Sequence, residues 1–346
     1  MTRAGAMRGI PTGERGIALI LVLWVMALLT VIAGEFCHAV RTELNVTRNF
    51  KEETQAYYIA LSGLFWAVQG LVDDDQGFRK AAAPGGAANP EEGLARINAD
   101  IPAVPFGAGR FSVRKENESG KVNLNRAGEH LLKMMLNGLD IDGAEKAIIV
   151  DSILDWRDAD SFHRVNGAED DYYRSLPHPY RCKNGDFSSV DELLLVRGVT
   201  PQIFHGGLRD MVTVYQDEET AAGRDVRAEV RVNLNSININ AASPPMLRAL
   251  PRMTEEALRA ILRYRITQDF RSPTDLLVVV GPEVYAGISP YLTFTLSPYY
   301  TIKAVGTLDG SRTRQGVQAV VRIDKTLERG YEVIQWIDSL EYGPSR

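Results

Sequence analysis

The feature that most constrains this chain is a run of eighteen uncharged residues, 17–34, which begins directly after Arg15-Gly16. As a helix the run is about 27 Å long, close to the thickness of the hydrocarbon core of a bilayer. It is longer than the apolar core of a cleavable signal peptide, and no small-x-small cleavage site follows it. The run therefore predicts a helix that crosses a membrane once and is retained.

The charges before the run predict its orientation. Arg3, Arg8 and Arg15 precede it, against only Glu14. By the positive-inside rule the N-terminus stays in the cytoplasm, and the residues after the run lie on the other side of the membrane. The main part of the chain is therefore predicted to lie outside the cytoplasm.

The helical pattern continues beyond the uncharged run. Residues 36–73 contain no proline. Their apolar side chains recur at intervals of three, four and seven, the pattern of an amphipathic helix. The positions are Phe50, Tyr57, Leu61, Leu64, Phe65, Val68 and Val72. We predict one helix of roughly 55 to 57 residues whose second half packs on a globular domain.

This arrangement resembles type IV pilins and the pseudopilins of type II secretion: a short basic leader ending in Gly16, an apolar helix from Ile17 and an amphipathic extension. The resemblance implies that a prepilin peptidase cuts between Gly16 and Ile17 and that the new N-terminus is methylated. It also implies that residues 17–34 contact membrane lipid first and neighbouring subunits later. A single-pass protein with a chance leader is the alternative.

One position narrows the resemblance to a particular type of pseudopilin. Most pilin-like subunits carry Glu at the fifth residue of the mature chain, and Leu21 stands there in this sequence. A subunit that starts a filament has no earlier neighbour whose terminal amine needs that carboxylate, so it avoids burying a charge. In this respect the chain is similar to the K-type minor pseudopilins, for which the family implies a place at the filament tip with the I and J types.

An internal repeat dominates the middle of the chain. The segment "KVNLNRAGEHLLKMML" (121–136) matches "SININAASPPMLRALP" (236–251), and "DFSSVDELLLVRGV" (186–199) matches "DFRSPTDLLVVVGP" (269–282). The order is the same in both copies, which indicates a duplicated unit. Each copy predicts an Asn-capped helix, a second helix (143–156 or 255–266) and a short helix that begins at Ser-x-x-Asp/Glu.

Strand patterns flank the repeats. "RFSVRKENESGKVNLN" predicts a hairpin around Ser119-Gly120, after a linker at 77–109 that is rich in Ala, Gly and Pro. Two further strands are predicted around Asp309-Gly310, and "YEVIQWIDSL" predicts another.

The predicted fold is α+β. A pilin-like long N-terminal helix packs on an antiparallel sheet, and a large inserted helical domain is built from two SAM-like or helix-hairpin-helix-like units. The predicted segments are leader 1–16, membrane helix 17–34, amphipathic extension 35–75, linker and first strands 76–124, inserted domain 125–296 (units 121–215 and 231–296) and C-terminal strands 297–346.

The first copy of the repeat carries an acidic insert that the second copy lacks. Asp158 and Asp160 are two residues apart, and Glu169 and Asp170 are adjacent. Four carboxylates with carbonyls and water would suit Ca²⁺, which takes six to eight oxygens. The spacing is not that of an EF-hand, because Phe162 stands at the next alternate position. The K-type resemblance covers this region and implies that a structural calcium ion is held here.

Two other interpretations of the insert are open. It could be a solvated loop pinned by ion pairs to Arg157, Arg164, Arg174 and Arg181. It could also bind zinc through His163, His178 and Cys182, which lack the close pairwise spacing of usual zinc sites. Trp156 is predicted to lie in the core, and Cys37 and Cys182 are predicted to be free thiols.

The expected function is that of a K-type minor pseudopilin of the bacterial inner membrane, which supports pseudopilus initiation and protein export. No catalytic motif is found in the sequence, so no enzyme activity is expected. A membrane-anchored hydrolase stays open as one alternative class. The other alternative is an anchored periplasmic DNA-binding protein for DNA uptake, with candidate contacts Arg248, Arg252, Arg259 and Arg263. The net charge of −5 disfavours it, and no nucleic acid is expected as a partner.

Overall fold

The computed structural model describes residues 14–73, 96–215 and 236–338. Two compact units divide the chain, Met1–Gln55 and Ala56–Arg346. One helix, α1, runs unbroken over Glu14–Asp73, which confirms the predicted single long helix. From Ala18 onward α1 is long and apolar enough to cross a membrane, with a mean hydropathy of 2.4 in its most apolar window. The predicted leader before residue 14 and the first part of the predicted linker, 77–95, lie outside the described residues.

The second unit contains a five-stranded antiparallel sheet. The strand order is β1-β2-β7-β8-β9, so the first hairpin and the last three strands are neighbours although about 180 residues separate them in the chain. This confirms that the helical part is inserted into a pilin-like domain. The strands are β1 Ala99–Phe106, β2 Gly109–Asn117, β7 Tyr299–Leu308, β8 Arg314–Ile323 and β9 Tyr331–Ile337.

Residues 56–73 of α1 pack on this sheet. The helix approaches β7 very closely, since a Cβ on Gly306 would lie 2.0 Å from the carbonyl oxygen of Ala56. The buried side chains of this part of the helix are Ala56, Ile59, Ala60, Leu64, Ala67, Val68 and Leu71. Two predicted members of the buried stripe point elsewhere: Phe50 is 71% exposed and Phe65 is 43% exposed. The sequence pattern was therefore right about the helix and wrong about part of its buried face.

The predicted hairpin around Ser119-Gly120 is wrong. The turn between β1 and β2 lies at residues 107–108, where Gly107 has a φ of +58°. Residues Glu118–Gly120 instead form a 3₁₀ turn that leads out of the sheet. The predicted linker over 77–109 is also too long, because β1 occupies Ala99–Phe106.

The inserted domain is mainly helical. Its first unit contains β3 Val122–Asn123, α2 Glu129–Leu136, α3 Gly143–Arg157, α4 Asp170–Arg174, α5 Pro201–Ile203, α6 Arg209–Met211 and β4 Val212–Thr213, with a π-helical turn at Phe204–Leu208 and a 3₁₀ turn at Val190–Leu195. Its second unit contains β5 Ile237–Asn238, α7 Pro244–Arg248, α8 Glu255–Thr267, α9 Pro273–Val280, α10 Pro282–Ile288, a 3₁₀ turn at Ser289–Tyr291 and β6 Leu292–Thr293.

The two units repeat the same backbone pairing, as a duplicated unit would; their SAM-like or helix-hairpin-helix-like character stays a prediction. In each unit the first short strand pairs in parallel with the last: β3 with β4, and β5 with β6. Each unit thereby closes on itself. The interiors of both units join one hydrophobic core.

The matching Asn-x-Asn motifs form the same hydrogen bonds in both units. Asn125 donates to the carbonyl of Phe187 and accepts from its N–H, at 3.0 and 2.7 Å. Asn240 makes the same pair of bonds with Phe270, at 2.9 and 2.7 Å. These asparagines clamp the start of each unit to its Asp-Phe segment. The predicted Asn caps are therefore wrong: Gly128 and Ser243 hold the N-cap positions of α2 and α7.

The predicted short capped helices are confirmed. Ser189 and Glu192 form a reciprocal capping box in the first unit, and Ser272 and Asp275 form one in the second. The predicted second helices also match, since α3 and α8 each extend one residue beyond the predicted end.

Replacing Ser272 with Ala should reduce the free energy of unfolding by about 1 kcal/mol, because the side-chain oxygen that accepts from the Asp275 N–H is lost. Ser272→Thr keeps a hydroxyl and is the matched control, which should stay within a few tenths of a kcal/mol of the original protein. Urea unfolding of both variants checks this. Equal destabilisation by both substitutions would contradict it.

Candidate metal centre

Three of the predicted ligands come together at the end of α3. Asp158 is the first residue after the helix, Asp160 follows in the loop, and Glu169 immediately precedes α4. One ligand oxygen from each lies within 4.8 Å of the other two. The cluster arises because Asp158 has an extended conformation, which ends α3 and turns the chain into the insert.

Glu169 is the most unusual member of the cluster. It is only 2% exposed, and neither of its carboxylate oxygens has a hydrogen-bond partner among the described residues. Burial raises the pKa of this carboxyl group, and the negative charges of Asp155, Asp158 and Asp160 add to the rise. The nearby Cys182 thiol, which itself donates to the Asp155 carbonyl at 3.8 Å, opposes the rise. A buried carboxylate without donors is costly unless a cation compensates it.

Arg164 organises the neighbouring acids. Its Nη1 donates to Asp155 Oδ1 and Asp158 Oδ2, both at 2.6 Å. Asp155 is fully buried, which raises the pKa of its carboxyl group, while the bonds from Arg164 oppose that rise. Gly167 is required beside it, because a Cβ there would lie 1.8 Å from Asp155 Oδ2. The insert is therefore built around an Asp-Arg-Asp bridge that leaves Asp158 Oδ1 buried, with no hydrogen-bond partner in the described part of the chain.

Asn184 is a further candidate that sequence reasoning missed. Its Nδ2 donates to the Asp160 carbonyl at 2.7 Å, and its Oδ1 is buried without a partner among the described residues. Its φ of +48° lies in the left-handed region. The Asn-Gly pair at 184–185 was the available signal, because this dipeptide favours such turns. A neutral carbonyl oxygen is an ordinary ligand for Ca²⁺.

Asp170, the fourth predicted ligand, is held by other groups. Its Oδ1 accepts from the Cys182 N–H at 2.9 Å, and its Oδ2 lies 2.6 Å from Arg174 Nη2. It is not one of the three acids that converge. Its role as a ligand stays a prediction.

The two other interpretations of the insert fare differently. The ion-pair interpretation is confirmed for Arg164 and Arg174, whereas Arg157 bonds the backbone carbonyls of Leu124 and Ala127. The zinc interpretation gains nothing: in the described ranges neither His163 nor His178 joins a group of metal-ligand side chains. Burial also raises the pKa of the Cys182 thiol to about 12, so a thiolate is disfavoured.

The donor set suits a hard divalent cation. Three buried oxygens without a partner among the described residues come from the Asp158 and Glu169 carboxylates, which converge with that of Asp160. Asn184, whose Nδ2 donates to the Asp160 carbonyl, adds a fourth such oxygen in its Oδ1. Oxygen ligands of this kind are those that Ca²⁺ prefers.

The prediction that Trp156 lies in the core is confirmed. Trp156 is 3% exposed and packs edge-on against Tyr173, with ring centroids 5.2 Å apart.

The candidate DNA contacts are less suited to their alternative role. Arg248 is paired with Glu255 at 2.7 Å. Arg252 occupies the turn between α7 and α8 with a φ of +59°, where hairpins that bind phosphate place glycine. The DNA-binding alternative finds no support.

Comparison with known proteins gives one consistent result. The family model of type II secretion system protein K matches residues 109–217. The type II secretion system protein K of Pectobacterium carotovorum subsp. carotovorum is 28% identical over 266 residues, which cover 73% of this chain and 75% of that protein. The putative type II secretion system protein K of Escherichia coli K12 is 24% identical over 315 residues, covering 86% and 90% respectively.

A solved structure shares the fold. A chain in the crystal structure of the GspK-GspI-GspJ complex from enterotoxigenic Escherichia coli aligns with a TM-score of 0.57 and 16% identity. The alignment covers 85% of this chain and 99% of that chain. The long helix, the antiparallel sheet and the inserted helical part are thus features of a known fold.

Proposed function

We propose that this chain, which belongs to the protein K family of type II secretion systems, is the minor pseudopilin at the tip of the pseudopilus, where it supports pseudopilus initiation and protein export. The observation that carries the proposal is α1, which combines an anchor-like apolar run with a segment that packs on a pilin-like sheet. The role depends on contacts with other subunits and not on turnover.

Leu21 supports the position at the tip. A carboxylate at this place in an apolar bundle is stable only when it is paired, for example with the terminal amine of a preceding subunit. A first subunit has no such neighbour. Leucine therefore avoids the cost of an unpaired buried charge at the start of the filament.

The proposed partners are minor pseudopilins of the I and J types. The solved structure that shares this fold is a complex of K, I and J proteins. We place this chain in an equivalent tip complex, anchored in the inner membrane through residues 17–34, with its N-terminus in the cytoplasm and its main part in the periplasm.

Maturation provides the direct test. A prepilin peptidase should remove residues 1–16 and the new N-terminal Ile17 should be methylated, so the membrane-extracted protein should have the mass of residues 17–346 plus one methyl group. Intact-mass spectrometry of that protein measures this. A mass corresponding to a start at Met1, or to a start near Glu35 after removal of the apolar run, would overturn the proposal.

We further propose that the acidic insert holds a structural Ca²⁺. Asp158, Asp160 and Glu169 would supply carboxylate oxygens and Asn184 a carbonyl oxygen, with Asp170 as a candidate fourth acid. The ion would supply positive charge that balances the buried acids. The chain's own part is to hold these oxygens in place, chiefly through the bridge from Arg164 to Asp155 and Asp158.

A further inference from the structure

The part of α1 that packs on the sheet carries no charged residue before Asp73, the last residue of the helix. From Thr54 to Val72, nineteen consecutive residues include no Asp, Glu, Lys or Arg. A helix on the surface of a globular protein normally places charged residues on its water-facing side. Here that side is as uncharged as the buried side, which indicates that another surface covers it.

The two flanks of this helix segment differ. On the flank toward β2, Trp66 packs against Phe111 with ring centroids 5.6 Å apart, and Gly63 allows Phe111 to approach closely. On the flank toward β9, Phe65 lies beside Trp336 at 6.4 Å and remains 43% exposed. The β2 flank is thus filled by the chain's own hairpin, and the β9 flank is open.

The open flank forms a surface that we call the β9-side patch, defined by Tyr58, Ser62, Phe65 and Trp336. Tyr58 is 60% exposed. Tyr58 precedes Ser62 by four residues, and Ser62 precedes Phe65 by three. This spacing aligns the three side chains along one side of the helix. One charge borders the patch, since the exposed Asp338 accepts from Trp336 Nε1 at 2.5 Å. The rings of Tyr58 and Phe65 lie on the uncharged helix segment 54–72, and exposed aromatic residues of this kind are typical of the centre of a protein interface.

We propose that the β9-side patch is a docking surface for the amphipathic helix of a neighbouring minor pseudopilin, so that the first partner joins this chain on its β9 flank and not on its β2 flank. The inference rests on the proposed function and deepens it. It assigns one side of the unit Ala56–Arg346, and specific aromatic residues on that side, to the contact with the partner.

A helix fits the patch better than an added strand. Strand β9 is an edge of the sheet and exposes Val333 and Ile334, but its register with β8 shifts between Val320 and Val321. Such a bulge interrupts the ladder that an incoming strand would need. A row of side chains at helical spacing, in contrast, is the surface into which another helix packs.

A partner protein also fits the patch better than lipid. The patch lies in the unit Ala56–Arg346, whereas the whole apolar run 17–34 lies in the unit Met1–Gln55. The helix segment on which it lies offers no Lys or Arg for lipid head groups between Thr54 and Val72.

The test uses the full-length chain, co-expressed with the I-type and J-type pseudopilins of the same bacterium and purified from solubilised membranes. Phe65→Glu and Tyr58→Glu should each reduce the amount of co-purified partner about tenfold or more, because a charge replaces an aromatic anchor. Phe106→Glu is the matched control: Phe106 is 48% exposed on the β1 side of the sheet and should leave capture unchanged. Melting temperatures establish that the variants fold, and Tyr58→Glu keeps the test valid if Phe65→Glu unfolds.

Each of the following results would overturn the inference. Unchanged capture by both folded patch variants would remove the patch from the interface, and equal loss with Phe106→Glu would remove its specificity. A shift of the isolated chain from dimer to monomer on Phe65→Glu would assign the patch to a second copy, and loss of membrane association would assign it to lipid. If the original chain captures neither pseudopilin, the proposed function itself fails and the inference fails with it.

Discussion

Removing divalent cations should lower the melting temperature of the full-length protein by about 5 °C or more. An ion present at one hundred times its dissociation constant stabilises the folded state by about 2.7 kcal/mol. For a domain of this size about 1 kcal/mol corresponds to a shift of ~2–4 °C. Without the ion, Glu169 stays buried beside Asp158 and Asp160, and no described residue donates a hydrogen bond to either of its oxygens. Calorimetry with chelator, then with excess Ca²⁺, measures the loss and its reversal.

Substitution of Glu169 separates ion binding from general stability. Glu169→Gln keeps the shape of the side chain and removes its charge, so its melting temperature should respond little to Ca²⁺. In chelator this variant should melt above the original protein, because the uncompensated buried charge is gone. Asp171→Asn, a neighbouring exposed acid outside the cluster, is the control and should keep the full response. If neither chelator nor Ca²⁺ changes the melting temperature of the original protein, the proposed ion site is refuted.

The sequence was sufficient to predict those parts of the fold in which one physical constraint acts over many residues. The uncharged run and the proline-free extension leave few alternatives to one long helix, and α1 is that helix. The duplication was visible because both copies preserve the Asn-x-Asn and Asp-Phe segments, which bond to each other in both units. The acidic insert was visible because it interrupts an otherwise matching repeat.

The failures have local causes. The alternation around Ser119-Gly120 is real, but it continues from β2 into β3, which pairs with β4 of the inserted domain. Strand β1 was missed because Pro102 and Pro105 lie within it, and proline normally argues against a strand. Proline is tolerated here because β1 is an edge strand. Asn184 was missed because its role depends on which groups surround it after folding. No spacing rule places it beside Asp160.

The two repeated units are fastened in different ways. The second unit is tied to the sheet domain by Arg96, which donates to the carbonyls of Arg265 and Ile266 at the end of α8 and pairs with Asp269 at 3.2 Å. The first unit has the acidic insert at the corresponding end of α3. The proposed calcium ion would join the end of α3 to the start of α4, and the second helix of each unit would then be fixed at its C-terminal end.

Replacing Asn240 with Ala should reduce the free energy of unfolding by about 3 kcal/mol. The side chain is 1% exposed and satisfies both backbone groups of Phe270, which is itself fully buried. Its loss leaves a buried N–H and a buried carbonyl without partners, each costing about 1–3 kcal/mol.

Asn125→Ala removes the same pair of bonds to Phe187 in the first unit and should have a similar effect. Asn137→Ala is the control, because Asn137 lies after α2 and its exposed side chain makes only a long contact of 3.3 Å with Lys146. Urea unfolding compares the three variants. A loss of less than about 1 kcal/mol for both Asn125→Ala and Asn240→Ala would mean that the remaining core, and not these clamps, holds each Asp-Phe segment in place.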